Sequence, residues 1–108
     1  MGGNKKDNFT ENQLEIAEFA KALSNPARIA ILEYLIQSES CICGEIVNEI
    51  GLAQATISQH LKALKNIGII QGDISGTKTC YCINEAKWTE IQEKISVFFK
   101  MYPILKRC

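Results

Sequence analysis

The stretch at residues 54–68 constrains the fold of this chain more than any other part of its sequence. Its apolar residues are spaced by four and then three positions, so they share one face of a helix. These residues are Ile57, Leu61 and Leu64. Gly68 stands where a glycine commonly ends a helix. The pattern predicts an amphipathic helix from about Gln54 to Ile67.

The elements on either side of this helix place it in a known motif. Residues 51–53 (Gly-Leu-Ala) form a tight turn after a shorter predicted helix over Cys43–Ile50. Two runs rich in β-forming residues follow, Ile69–Ile74 and Thr79–Asn84, and residues 75–78 join them as a hairpin. Two short helices with a glycine turn between them, followed by a hairpin, predict a winged helix-turn-helix.

Two more helices precede this motif. A capping box at residues 10–13, with Thr at the N-cap, begins a helix that runs to about Leu23. Asn25 as N-cap and Pro26 at the first helical position begin another, which runs to about Ile36. Its predicted buried residues are Ile29, Leu32, Leu35 and Ile36. The fold class is therefore mostly α with a β-hairpin, in the order α-α-α-α-β-β-α.

The chain length of 108 residues allows one domain. Residues 1–9 are expected to be a flexible N-terminal arm, and residues 85–102 a C-terminal helix ended by Pro103. Apolar side chains on that helix repeat with heptad-like spacing, which is typical of a helix that pairs with another helix. They are Trp88, Ile91, Ile95, Phe98 and Tyr102. We therefore expect a dimerisation helix.

The sequence also argues against several classes of protein. No apolar run approaches the roughly 20 residues that a membrane span needs, and no signal peptide is recognisable, so a cytoplasmic location is expected. His60 is the only histidine, and the chain contains no Ser-His-Asp set, P-loop or dinucleotide-binding glycine pattern. We predict no enzymatic activity.

A nucleic-acid interface is predicted from the distribution of charge, since the net charge of the chain is zero. No acidic residue occurs between Glu49 and Asp73. The predicted helix in this interval exposes polar side chains that suit DNA bases near its start and phosphates further along, and the hairpin loop would contact the backbone as a wing. The candidate DNA-binding residues are Gln54, Thr56, Ser58, Gln59, His60, Lys62, Lys65, Thr77 and Lys78. The alternative is a solvated polar face on a surface helix.

The five cysteines form a second notable group. An odd number cannot pair fully within one chain, and a Cys-x-Cys motif in a reducing compartment indicates metal or redox chemistry. Cys41 and Cys43 form such a motif, and Cys80 and Cys82 form another on one side of a predicted strand. Cys80 and Cys82 could instead be small side chains that face the core.

Three segments of the chain resemble the ArsR/SmtB family of metal-responsive repressors: residues 22–32, 41–45 and 54–64. The resemblance implies a homodimer paired through the first and last helices, which adds Leu14 to the predicted interface. It also implies repression by binding operator DNA and release when an inducer binds. Ala53 is a departure, because the family often has a serine there that caps the recognition helix.

The same resemblance implies that Cys41 and Cys43 sense As(III) or Sb(III), with no other cofactor required. Soft ions prefer thiolates, but residues i and i+2 of an ideal helix point about 200° apart. The start of that helix would have to be unwound for both sulfurs to share one ion. The third thiolate is left open among three candidates, Cys80, Cys82 and Cys108. Winged-helix topology would bring the strand candidates close.

Two alternative functions fit the same residues. The first is a repressor of this fold whose thiols respond to oxidants or reactive sulfur. The second is a thiol-rich zinc-binding or metal-buffering module that does not bind DNA, although Cys-x-Cys spacing is unusual for zinc ribbons. No histidine follows His60 to form an interhelical zinc site, and the N-terminal arm has no cysteine for a cadmium or lead site.

Overall fold

The computed structural model describes residues 8–38, 41–42, 44–75 and 78–103. The helices and strands follow the predicted order and confirm a mostly helical fold with one antiparallel hairpin. They are α1 (Glu11–Ala22), α2 (Pro26–Gln37), α3 (Glu45–Ile50), α4 (Gln54–Asn66), β1 (Ile70–Ser75), β2 (Lys78–Ile83) and α5 (Glu85–Lys100). No helix in these ranges combines the length and the apolar character that crossing a membrane requires.

The helix starts follow the capping signals in the sequence. Thr10 accepts a hydrogen bond of 3.1 Å from the Gln13 amide, and the Gln13 side chain accepts one of 2.9 Å from the Thr10 amide. Asn25 caps α2 by accepting a bond of 2.8 Å from the amide of Ala27. Because the side chains satisfy amides that lack helical partners, these two starts were predictable.

The core lies between α2, α4 and the hairpin, and it includes one residue each from α1, α3 and α5. Its buried side chains include Phe19, Ile31, Leu32, Leu35, Ile46, Ile57, Leu61, Leu64, Ile69, Ile70 and Ile91. The predicted burial of Ile29 and Ile36 is wrong in the single chain, since they are 40% and 51% exposed. Apolar residues occur on nearly every side of α2, so its periodicity could not select the buried face.

The third helix begins later than the predicted Cys43. The main chains of Ile42 and Tyr81 form an isolated antiparallel bridge, so residue 42 extends the sheet instead of the helix. Gly44 then adopts the left-handed conformation, with φ at 98°. A right-handed helix cannot run through such a residue, so α3 is confined to Glu45–Ile50.

An ion pair and a cation–π contact link α1 to α5. Lys94 forms ion pairs with Glu15 of α1 and with Glu90 of its own helix. The hydrogen bond to Glu15 raises the pKa of Lys94 above its usual value of 10.5. Lys87 lies 5.3 Å above the ring of Phe19, within cation–π range. These contacts hold the two terminal helices side by side.

Candidate nucleic-acid interface and thiol site

Helix α4 presents the polar face that the sequence predicts. Its apolar residues are buried, and most of the predicted DNA-binding side chains are exposed on the other side. The exposed ones are Gln54, Ser58, Gln59, Lys62 and Lys65, whereas Thr56 and His60 are half-buried. The N-cap residue Ala53 makes no side-chain hydrogen bond, so the amides of the first turn have no cap from this position.

His60 has a structural partner that the sequence did not indicate. Arg28 of α2 donates from Nε to Nδ1 of His60 at 3.2 Å, and its Nη1 donates to the carbonyl of Ala22 at 3.2 Å. Because Nδ1 accepts this bond, the ring proton lies on Nε2. His60 therefore connects α4 to α2, and only Nε2 is left for a DNA contact.

The hairpin lies against the second half of α4. Gly72 of β1 is opposite Tyr81 of β2, and a Cβ atom at Gly72 would lie 2.9 Å from Cε1 of the Tyr81 ring. The same atom would lie 3.4 Å from Nζ of Lys65. The missing side chain thus leaves room for both the Tyr81 ring and the Lys65 side chain beside β1. Of the predicted wing residues, Thr77 lies outside the described residues, and Lys78 is the first residue of β2.

The structure brings two of the predicted sensor cysteines together. Ile42 and Tyr81 exchange two main-chain hydrogen bonds of 2.8 Å each, which places Cys41 opposite Cys82. Opposite residues next to such a bonded pair approach to a Cα separation of about 4.5 Å. Cys41 and Cys82 have a Cα separation of 4.6 Å and are joined by a disulfide.

These thiols lie on the face of the strand that points away from the core. Ile42, Tyr81 and Ile83 pack against the core, whereas Cys41 is exposed and Cys82 is half-buried. Gln71 is opposite Cys82 in the hairpin register, and its Nε2 lies 3.9 Å from the sulfur. Cys82 is therefore not one of the buried core residues, although it is partly covered.

Of the three remaining cysteines, the structure describes only Cys80. Cys43 and Cys108 lie outside the described residues. Cys80 lies on β2, two residues before Cys82 and on the same side of the strand. Within the described ranges, no group of three or more His, Cys, Asp or Glu side chains could hold a metal ion. Within those ranges the thiol site consists of the paired sulfurs of Cys41 and Cys82.

The predicted dimer residues fall into three groups. Ile91 is 4% exposed and belongs to the core of the single chain, so it is not available to a partner. Trp88 and Ile95 are half-buried, and Leu14, Phe98 and Tyr102 are exposed. Tyr102 lies beyond the end of α5. The heptad spacing missed three further exposed apolar residues near the end of the helix: Val97, Phe99 and Met101.

Comparison with known proteins places this architecture among bacterial regulators. A family model described as bacterial regulatory protein, arsR family, matches residues 25–71. The chain is 34% identical over 91 residues to a CadC homologue from Staphylococcus aureus, a cadmium resistance transcriptional regulatory protein, covering 83% of this chain and 74% of that protein. It is 41% identical over 64 residues to the transcriptional repressor SmtB of Mycobacterium tuberculosis, covering 59% of this chain and 47% of the repressor.

A solved structure supports the fold independently of close sequence identity. It is the homodimeric winged helix-turn-helix DNA-binding domain of a possible ArsR-family regulator from Mycobacterium bovis. The TM-score is 0.61 at 24% identity, covering 98% of this chain and 94% of that domain. The likeness shows that the arrangement of helices and hairpin is that of a winged helix-turn-helix.

Proposed function

The chain belongs to the ArsR family of bacterial regulatory proteins, and we propose that it is a DNA-binding repressor released from its operator when a thiophilic ion binds its cysteine thiolates. The leading candidates for the ion are As(III) and Sb(III). The observation that supports the proposal is the pairing of Cys41 with Cys82 across the Ile42–Tyr81 bridge. Family membership argues against a zinc-buffering module that does not bind DNA.

The DNA contacts of this proposal divide along α4. Gln54, Ser58 and Gln59 stand near the start of the helix, where exposed amides and hydroxyls can reach base edges in the major groove. Lys62 and Lys65 are exposed further along and would contact phosphates. Thr77 and Lys78 would add backbone contacts from the wing. Ser and Gln side chains therefore specify sequence, and the lysines position the helix.

A homodimer would supply two such helices for two half-sites of an operator. The exposed apolar side chains of α1 and α5 lie on adjacent helices joined by the Lys94–Glu15 ion pair. Phe98 is 48% exposed and Phe99 is 70% exposed. Leaving this much apolar surface in water is unfavourable for a monomer. We propose that Leu14, Trp88, Ile95, Phe98 and Tyr102 pack against the same surface of a second copy.

The thiols fit a soft ion once they are reduced. An ion that binds two sulfurs at about 2.3 Å, the distance typical of zinc–thiolate bonds, holds them roughly 3.5–4 Å apart. Opposite Cβ atoms of a strand pair are about 4.5–5.5 Å apart, so small side-chain rotations allow this separation. We propose Cys41, Cys43 and Cys82 as the three thiolates. When bound, the ion supplies a charge-neutralising link between the segment before α3 and β2.

Release from DNA would follow from what these two segments support. The segment that carries Cys41 leads into α3, which packs on α4. The strand that carries Cys82 also carries Tyr81, whose ring lies beside Gly72, as does the Lys65 side chain of α4. A change in the separation of Cys41 and Cys82 therefore acts on both sides of the DNA-reading helix. We propose that ion binding shifts α4 relative to the wing.

Direct ion binding tests this site without DNA. The fully reduced protein is titrated with arsenite, and the bound arsenic per chain is measured after removal of the free ion. We expect one ion per chain, strongly weakened binding in Cys41→Ser and Cys82→Ser, and unchanged binding in the matched control Cys108→Ser. Equal binding by wild type and Cys82→Ser would exclude Cys82 as a ligand.

The disulfide supports a second candidate function, a repressor of the same fold whose DNA affinity depends on thiol oxidation. Cys41 and Cys82 are already close enough to bond in the structure. A bonded pair has no thiolate left for an ion, so oxidation and ion binding exclude each other at these two residues. The two candidates are separated by whether arsenite or an oxidant changes the affinity of the protein for operator DNA.

A further inference from the structure

A cleft of about 560 Å³ lies beside the Cys41–Cys82 pair, between α2, the hairpin and α5. This volume is in the range of small-molecule sites, which is about 300–1,000 Å³. Both cysteines line it, together with apolar side chains and polar groups. The lining residues used below are Leu35, Ser38, Gln71, Glu85, Trp88 and Thr89. Neither the proposed DNA contacts nor the ion site explains such a cleft.

We propose that this cleft binds small disulfides of aminothiols, which then oxidise Cys41 and Cys82 to a disulfide by thiol–disulfide exchange. The proposal goes beyond the proposed repressor function, because it assigns a ligand class and a covalent reaction to a surface that DNA does not need. The ligand is the oxidant, so no other reagent is required.

The exposure of the two cysteine residues assigns the order of the steps. Cys41 is exposed, so its thiolate attacks the incoming disulfide RSSR, forming a Cys41–S–SR bond and releasing RS⁻. Cys82 is half-buried beside it, and its thiolate then attacks the Cys41 sulfur, forming the Cys41–Cys82 bond and releasing the second RS⁻. Two protein thiolates are oxidised, and one small disulfide is reduced to two thiolates.

Gln71 is a positioning residue for the second step. Its Nε2 lies 3.9 Å from the sulfur of Cys82, on the strand directly opposite. Through this contact Gln71 orients the Cys82 sulfur for attack on the mixed disulfide at Cys41, and it does not act on the first step.

Charge and shape select the class of ligand. Among the described residues that line the cleft, Glu85 has the only charged side chain, and it is exposed. Leu35 and Trp88 offer apolar surface for the carbon atoms of the ligand, and Ser38 and Thr89 offer hydroxyls. A small disulfide with an ammonium group complements this surface, whereas one with carboxylates alone is repelled by Glu85.

The experiment uses the full chain with Cys43, Cys80 and Cys108 replaced by serine, so that Cys41 and Cys82 are the only thiols. The reduced protein is mixed with cystamine, and products are followed by mass spectrometry of acid-quenched samples. We expect a transient single adduct that converts to the internal disulfide. In Cys82→Ser the adduct accumulates on Cys41, and in Cys41→Ser its formation slows by about tenfold or more.

Two comparisons test the cleft rather than the thiols alone. Cystamine should react about tenfold faster than the dianion dithiodiacetate, and Glu85→Gln should reduce this preference. Gln71→Leu should leave adduct formation unchanged and lengthen the lifetime of the adduct. Equal rates for the two probes, or the same rates in urea-unfolded protein at equal thiolate content, would overturn the proposal. Neither readout involves DNA or arsenite, so failure here leaves the repressor function standing, and the reverse also holds.

Discussion

Ile42 and Tyr81 exchange two main-chain hydrogen bonds of 2.8 Å, and this bridge joins the segment before α3 to the wing. It determines that Cys41 lies opposite Cys82, because the antiparallel register pairs the residue before Ile42 with the residue after Tyr81. The ring of the same tyrosine lies beside Gly72, as does the side chain of Lys65 from α4. In the proposed mechanism, chemistry at the sulfurs therefore acts on the proposed DNA-reading helix through this short piece of sheet.

Gly72→Ala tests this connection. The added Cβ atom would lie 2.9 Å from the Tyr81 ring, so the ring or the strand must move. We expect a loss of about 1–3 kcal/mol in the free energy of unfolding, measured by urea denaturation. Tyr81→Leu in the same background removes the ring atom that clashes, so the double variant should be less destabilised than the two single effects added together. Simple additivity would show that the ring and the glycine are not coupled.

Ala53→Ser should stabilise α4. The backbone at Ala53 already has the extended conformation of an N-cap, with φ at −60° and ψ at 148°, but alanine has no side-chain acceptor. A serine there should raise the free energy of unfolding by about 1 kcal/mol. The control is Ala63→Ser, far from the start of α4, where the main-chain amides have helical partners and serine should be neutral or destabilising. If Ala53→Ser gave no gain in stability, the main-chain amides of the first turn would already have other hydrogen-bond partners.

Lys62→Ala should weaken DNA binding similarly on all sequences. Lys62 is exposed on α4, and a phosphate contact carries no base information. The slope of log affinity against log salt concentration should become less steep by about one unit. Lys21→Ala is the matched control, since Lys21 is equally exposed but lies in the last turn of α1. An unchanged slope for Lys62→Ala would remove this residue from the interface.

Phe98→Glu should convert a dimer to a monomer. The side chain is 48% exposed in the single chain, and a charge there would be buried without a partner in the proposed interface. Sedimentation velocity of the variant should show the mass of one chain at concentrations where the wild type shows two. Leu52→Glu places the same charge on another exposed apolar residue, in the turn before α4, and should remain dimeric.

The sequence predicted those elements whose signals are local. The capping box at Thr10, the Asn25-Pro26 start and the apolar stripe of α4 each depend on neighbours within a few residues, and the structure confirms them. The buried face of α2 was not predictable, because Ile29, Ile31 and Ile36 are chemically alike and only the packing partners distinguish them.

The candidate site was predictable in its residue types but not in its pairing. Cys-x-Cys motifs at 41–43 and 80–82 indicated thiol chemistry, and only the Ile42–Tyr81 bridge, a contact between distant parts of the chain, shows that Cys41 lies opposite Cys82. Arg28 was missed as the partner of His60 for the same reason, since the two are 32 residues apart in sequence.

The most direct test of the central claim is operator binding by the reduced protein, followed by fluorescence anisotropy while arsenite is added. The DNA is the promoter of the gene that encodes the chain. We predict that all four proteins bind the operator tightly. Arsenite should reverse binding by the wild type and by Cys108→Ser, and it should leave binding by Cys41→Ser and Cys82→Ser unchanged. Tight binding that neither arsenite nor antimonite alters in the reduced wild type would contradict ion-triggered release.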